Sequence, residues 1–183
     1  MSLIYITGIS GSGKSTVCEE LKRRGYEAYD ADGEGFNGWC NKETGKAAEG
    51  YGKDKVDAKE WYKKNSWNTS RAKVERLSES ARNKLVFLCG VSANEETVWD
   101  LFTKVICLNV DEATLRNRIK TRATNEFGKE PYEFQIILEW HKTYLDDCIK
   151  KGVLVVNADR PLNMVVDKIL KIVFNKSYGS ERS

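Results

Sequence analysis

The chain has 183 residues, enough to bury one substantial core, so a single domain over 1–183 is expected. Thirty Lys and Arg stand against 27 Asp and Glu, a net charge of +3 that argues against nucleic acid or an anionic membrane as an obligatory partner. No apolar run approaches bilayer length, no leader pattern precedes the first strand-like residues, and a cytoplasmic location is expected.

Residues 3–7 read as a strand, and Lys14–Arg24 as a helix with Val17, Cys18 and Leu21 on one face and Gly25 as its stop signal. Tyr26–Tyr29 is a short second strand. Arg71–Asn83 has helical spacing (Val74, Leu77, Ala81) with Ser70 as a cap, and Leu85–Cys89 is a buried strand. A short helix follows over Asn94–Phe102, then a strand over Val105–Val110. Asp111 starts a helix running to about Arg122. Glu133–Lys150 is a long helix, Val153–Asn157 a strand, and Leu162–Phe174 a final helix before a polar, frayed tail over 175–183. Five apolar strands alternating with helices predict a parallel sheet covered on both faces. Ligands of such sheets gather at the carboxyl ends of the strands.

The first of those ends carries Gly8-Ile9-Ser10-Gly11-Ser12-Gly13-Lys14-Ser15-Thr16, which fits G-x-x-x-x-G-K-[ST] between a strand and a helix. Gly8, Gly11 and Gly13 let the backbone wrap a phosphate, and the amides of Ser10, Ser12 and the helix N-terminus point at the anion. Lys14 reaches the β- and γ-phosphates, and the hydroxyls of Ser15 and Thr16 stand where the metal and phosphate bind, Ser15 ligating Mg²⁺. ATP and Mg²⁺ are the expected cofactors. Asp30-Ala31-Asp32 closes the second strand, and alternation puts both carboxylates on one side of an extended backbone. Phosphoryl transfer to an alcohol benefits from a carboxylate that accepts or orients the attacking hydroxyl and from one that helps hold hydrated Mg²⁺, and the Asp30/Asp32 pair is the candidate for both. The plain alternative is an acidic turn, Asp32-Gly33 being a good turn dipeptide.

Residues 33–67 differ from the rest. Six glycines lie between Gly33 and Gly52, Val56 is the one branched aliphatic up to residue 66, and Trp39, Tyr51, Trp61, Tyr62 and Trp67 supply aromatics instead. This stretch is expected to form no sheet element and to act as a substrate-binding flap, against the alternative of a solvated insertion. Residues from about 122 to 132 follow a basic helix and form a lid candidate. Arg122 and Arg118 are candidates to stabilise charge on the transferring group, whereas Arg116 and Lys120 belong to a solvated face. Arg160 and Pro161, after the last strand, form either a plain turn or a wall of the adenine site. The five cysteines are scattered without a C-x-x-C pair and read as reduced thiols. His141 reads as a packed helix residue.

Phosphate loop, Asp-x-Asp after strand two, lid arginine and Asn157-Ala158-Asp159-Arg160-Pro161 turn together resemble the small P-loop kinases, the group of shikimate, gluconate and nucleoside-monophosphate kinases, and a bacterial subgroup of it. The resemblance implies a P-loop NTPase three-layer α/β sandwich. Its five-stranded parallel sheet has order 2-3-1-4-5, with a lid and a substrate-binding insertion after strand two. It implies Asp32 at the acceptor hydroxyl, Asp30 in the Mg²⁺ shell, Arg122 as lid arginine, Arg160 and Pro161 beside adenine, and a small molecule as phosphoryl acceptor. The chain departs from shikimate kinases at Cys89-Gly90-Val91, where those carry a triple glycine. The strand that ends at Cys89 also lacks a Walker-B aspartate, and no N/T-K-x-D base-reading motif accompanies Asp30-x-x-Gly33, which counts against motors and GTPases. An ATP- and Mg²⁺-dependent kinase of a hydroxyl or phosphate acceptor is expected, as a monomer or homodimer. The rivals are a nucleotide-binding regulatory protein and a kinase of nucleic-acid 5′-hydroxyls.

Overall fold

The computed structural model describes residues 2–50, 57–123 and 125–175. Tyr51, Gly52 and Val56 of the insertion, Thr124 of the lid candidate and the tail beyond Asn175 lie outside the described residues. Strands β1 (Leu3–Thr7), β2 (Glu27–Asp30), β5 (Val86–Cys89), β6 (Lys104–Asn109) and β7 (Leu154–Asn157) form one parallel sheet in the order β2-β5-β1-β6-β7. Counted within that sheet, the order is 2-3-1-4-5, as the resemblance implies.

All five residues of β1 are buried, which period-two geometry permits only when both sheet faces are covered. Ile4 and Ile6 pack into one layer with Val17 and Leu21 of α1 (Lys14–Arg23), Leu115 and Ile119 of α4 (Glu112–Thr121), Ile137 of α5 (Pro131–Lys150) and Ile169 of α6 (Leu162–Phe174). Leu3 and Tyr5 point the other way, against Val74 and Leu77 of α3 (Arg71–Ser80) and Val98 and Phe102. The helices start where local chemistry stops the strand. Asp111 caps α4 by accepting the Thr114 amide at 2.6 Å, while Pro131 opens α5, where a missing N–H costs nothing. Ser70 occupies the cap position of α3 but its hydroxyl caps nothing, and the last predicted turn of that helix, Ala81–Asn83, is a 3-10 turn. Glu95–Leu101 is likewise a 3-10 run.

The insertion corrects the sequence reading. Instead of lacking sheet structure, it contains β3 (Asn37–Asn41) and β4 (Asn65–Thr69), an antiparallel pair in the register Asn37 with Thr69, Trp39 with Trp67 and Asn41 with Asn65. A short helix, α2 (Ala58–Lys64), leads into β4. The hairpin needs no aliphatic residues because a cross-strand Trp39–Trp67 pair, 5.3 Å between ring centroids, does the packing. Asparagine side chains do the rest. Asn41 Oδ1 accepts the amides of Glu43 and Thr44 in the turn, and Asn37 Oδ1 accepts the Thr69 hydroxyl at 2.6 Å. Among the described residues, no helix is long and apolar enough to cross a membrane.

Candidate active site

The strand order spreads the loops along one edge of the sheet. The loop after β1 is central, the turn after β2 lies at one margin and the segment after β7 at the other. They open into a single cavity of about 1510 Å³, larger than the ~300–1,000 Å³ that one small ligand usually fills, so there is room for two.

Ser10 through Thr16 line its floor. Gly11 has φ +90°, and a Cβ there would lie 2.8 Å from Leu115 Cδ1; Gly8 has φ +146°, and its Cβ would meet the Leu108 carbonyl oxygen at 2.6 Å. Only glycine lets the loop sit this low on α4 and β6. The Lys14 ammonium donates to the Gly8 and Ile9 carbonyls at 2.6 and 3.0 Å, which folds it over the loop. Burial lowers its pKa, and the carboxylates of Asp32, Glu95 and Asp30 oppose that shift. Gly8 itself and Pro161 do not line the cavity; Gly8 shapes the loop from beneath, and Pro161 precedes α6.

Asp30 and Asp32 do not share one face of a strand, because β2 ends at Asp30 and the chain turns. Asp30 Oδ1 accepts the amides of Asp32 and Gly33 at 3.0 and 3.1 Å, an Asx turn that closes the bend. Asp30 is therefore absent from the cavity wall, and the acidic-turn alternative describes it. Asp32 does line the cavity. Its Oδ1 accepts from Asn37 Nδ2 at 2.7 Å and from the Trp67 indole N–H at 2.9 Å. Both donors come from the hairpin, and Oδ2 has no hydrogen-bonding partner among the described residues.

Arg118 and Arg122 both line the cavity from α4 and its end. Arg118 donates to the Ser12 carbonyl at 3.0 Å and to the Ala158 carbonyl at 2.8 Å, which fastens the loop to the segment after β7. Arg122 donates to Ser10 Oγ at 3.1 Å and to the Phe127 carbonyl, while its buried Nε has no partner among the described residues. Burial lowers its pKa. Arg160 lines the opposite end of the cavity with Leu162 and Val165. His141 binds the Val110 carbonyl oxygen through Nε2 at 2.9 Å and faces none of this.

Two features escape a reading of the sequence. One is the Trp67 indole on Asp32, since nothing local links residues 35 positions apart. The other is Glu95, 5% exposed, which accepts from the hydroxyls of Tyr5, Thr7 and Tyr144 at 3.2, 2.7 and 2.6 Å. Burial raises its pKa against those bonds. A run beginning Asn94-Glu95-Glu96 reads as a solvated helix start, and only the fold turns Glu95 inward.

Phosphate loop, parallel sheet and flanking helices together define a P-loop protein with the layout of the small P-loop kinases. The chain belongs to the AAA domain family, whose model matches residues 4–135. No curated protein matches it. Among solved structures it is similar to a sugar kinase from Janibacter sp. HTCC2649 (15% identity, 98% of each chain covered, TM-score 0.57). It is also similar to a shikimate kinase from Acinetobacter baumannii in complex with shikimate (16% identity, 94% of this chain and 93% of that one, TM-score 0.58). A gluconokinase from Sinorhizobium meliloti 1021 matches at 22% identity over 92% of this chain and 89% of that one, with a TM-score of 0.53. These likenesses are of fold.

Proposed function

We propose that the chain is an ATP- and Mg²⁺-dependent phosphotransferase that moves the γ-phosphoryl group to a hydroxyl-bearing small molecule. The observation that carries this reading is Asp32, fixed through one oxygen by Asn37 and Trp67 and free at the other, in the same cavity as Lys14 and Ser15. A carboxylate so oriented accepts the proton of an attacking hydroxyl. A protein that only sensed nucleotide would have no use for a base held on the acceptor side.

The remaining roles follow from position. The loop amides and Lys14 hold the β- and γ-phosphates. Arg122 stands with its guanidinium on Ser10, where charge builds on the transferring group. Arg118 braces the loop, and Arg160 stands at the end suited to the base of the nucleotide. The donor set is oxygen-rich and sparse. Ser15 Oγ suits a hard cation that keeps several waters and binds mainly through phosphate, which fits Mg²⁺. When bound, that ion neutralises charge on the phosphates. Asp30 acts indirectly here, by shaping the turn that presents Asp32.

The test is a ³¹P NMR screen of candidate acceptors with ATP and Mg²⁺. Transfer of the γ-phosphate to any metabolite, lost in Asp32→Asn, supports the assignment. Tight ATP binding with no transfer across the screen turns the reading toward a nucleotide sensor.

A further inference from the structure

The strand order divides the cavity chemically. Arg118, Arg122 and Arg160, the arginines that line it, come from α4, its end and the segment after β7. Arg118 is committed to the carbonyls of Ser12 and Ala158, and Arg122 to Ser10 and Phe127. Arg118 and Arg160 belong to the phosphate-loop side, and Arg122 spans from that loop to the lid segment, where it is already bonded to the Phe127 carbonyl. The other side, beyond Asp32, is built differently. Trp39 stands edge-on to Tyr62 (centroids 5.2 Å, 82° between planes) and tilted against Trp67 (5.3 Å, 66°). Tyr62 in turn lies 6.3 Å from both Phe127 and Tyr132 of the lid segment, so hairpin and lid meet through rings.

Charge on that side comes from three lysines and a slight excess of carboxylates. Lys42 donates to the Tyr62 carbonyl, Lys129 pairs with Glu126 at 2.8 Å, and Lys59 is exposed, while Asp57, Glu130 and Glu133 line the same cavity. Carboxylates and phosphates are held best by the planar fork of arginine, and among the described residues the hairpin brings none to the cavity. Aromatic faces bind flat apolar surfaces instead, such as a nucleobase or the C–H face of a sugar ring.

We infer that the phosphoryl acceptor is an uncharged, hydroxyl-bearing molecule with a flat apolar face, stacked on Trp39, Tyr62 and Trp67 with one hydroxyl on Asp32. The inference rests on the kinase reading only for the transfer step, because stacking needs no transfer. In that step the hydroxyl oxygen bonds to the γ-phosphorus. The bond from that phosphorus to the bridging oxygen breaks, ADP leaves with the electron pair, and the proton passes to Asp32 Oδ2. A phosphate acceptor, which the sequence leaves open, is excluded by this inference.

The test uses the full chain saturated with Mg²⁺ and a non-hydrolysable ATP analogue, titrated with matched compounds and followed by tryptophan fluorescence and calorimetry. The pairs are adenosine with its 5′-monophosphate, thymidine with its 5′-monophosphate, and glucose with gluconate. At least one neutral compound is expected to bind about tenfold tighter than its charged partner, and the pair that responds tells nucleoside from sugar. Trp39→Leu, which keeps apolar bulk in the hairpin, should weaken that binding about tenfold while ATP-analogue affinity stays within about twofold. Trp67→Phe provides a second variant with the ring retained. Tighter binding of the charged member, or no neutral binding below about 10 mM, overturns the inference. Neutral binding here, with no transfer to the same compound from ATP in the ³¹P NMR screen, defeats the kinase reading alone. Transfer to an anionic acceptor defeats this inference alone.

Discussion

Asp32 has one oxygen engaged twice and one oxygen open, and that asymmetry sets its predicted phenotypes. Asp32→Asn keeps the shape and removes the basicity, so turnover should fall by about 10²–10⁴ while nucleotide affinity is retained, as steady-state kinetics and calorimetry would report. Trp67→Phe removes one of the two clamping donors and should cost less than Asp32→Asn; an equal loss would mean that orientation, and not basicity, is what Asp32 supplies. Glu95 offers a pH test. Its folded pKa is raised by burial, so the folded state holds a proton that the unfolded state has released. Stability should therefore fall as pH rises from the ordinary glutamate value, ~4.3, toward the raised folded value. Glu95→Gln does not titrate, so its melting temperature relative to the parent should rise over that window. A constant difference between the two across pH 4–8 would contradict this account.

At the scale of elements, most of the central sheet is legible in the residues and the hairpin is not. Leu3–Thr7 and Leu162–Phe174 announce themselves through continuous apolar residues and helical spacing, because burial on one or both faces leaves a period. Asn37–Asn41 and Asn65–Thr69 leave none. Their order comes from a tryptophan pair and from asparagine amides acting across 28 to 32 positions, which no local window contains. The site divides the same way. Lys14, Ser15 and the loop glycines are contiguous and readable; the clamp on Asp32 and the inward turn of Glu95 exist only after folding. Asp30 and Asp32 show the cost of extending a strand by rule, since one Asx turn separates their roles. Arg118 gives the prediction proper to this scale. Its two charge-assisted bonds tie α4 to the loop and to the segment after β7. Arg118→Ala should lower stability by about 1.5–3 kcal/mol and weaken nucleotide binding, measured by chemical denaturation and calorimetry.

For the molecule as a whole, nucleotide binding and stability should be linked. A ligand at a hundredfold excess over its dissociation constant adds about 2.7 kcal/mol to the folded state. For a chain of this length that corresponds to a rise in melting temperature of roughly 5–10 °C. Lys14→Ala should reduce the rise to near zero, and an unchanged rise would move the nucleotide away from the loop. The even charge balance yields a further expectation, that affinity for single-stranded oligonucleotides at low salt is negligible by filter binding. Finally, the ladder that pairs Asn37 with Thr69 brings the two ends of residues 37–69 to adjacent points beside the sheet. A segment that leaves and returns at one place can be exchanged as a unit, provided the replacement keeps Asn37 and Trp67, the two donors that hold Asp32. The donor machinery, drawn from residues 8–16 and 118–160, lies outside that segment. A grafted hairpin that keeps those two donors therefore offers a route to new specificities on an unchanged nucleotide-binding frame.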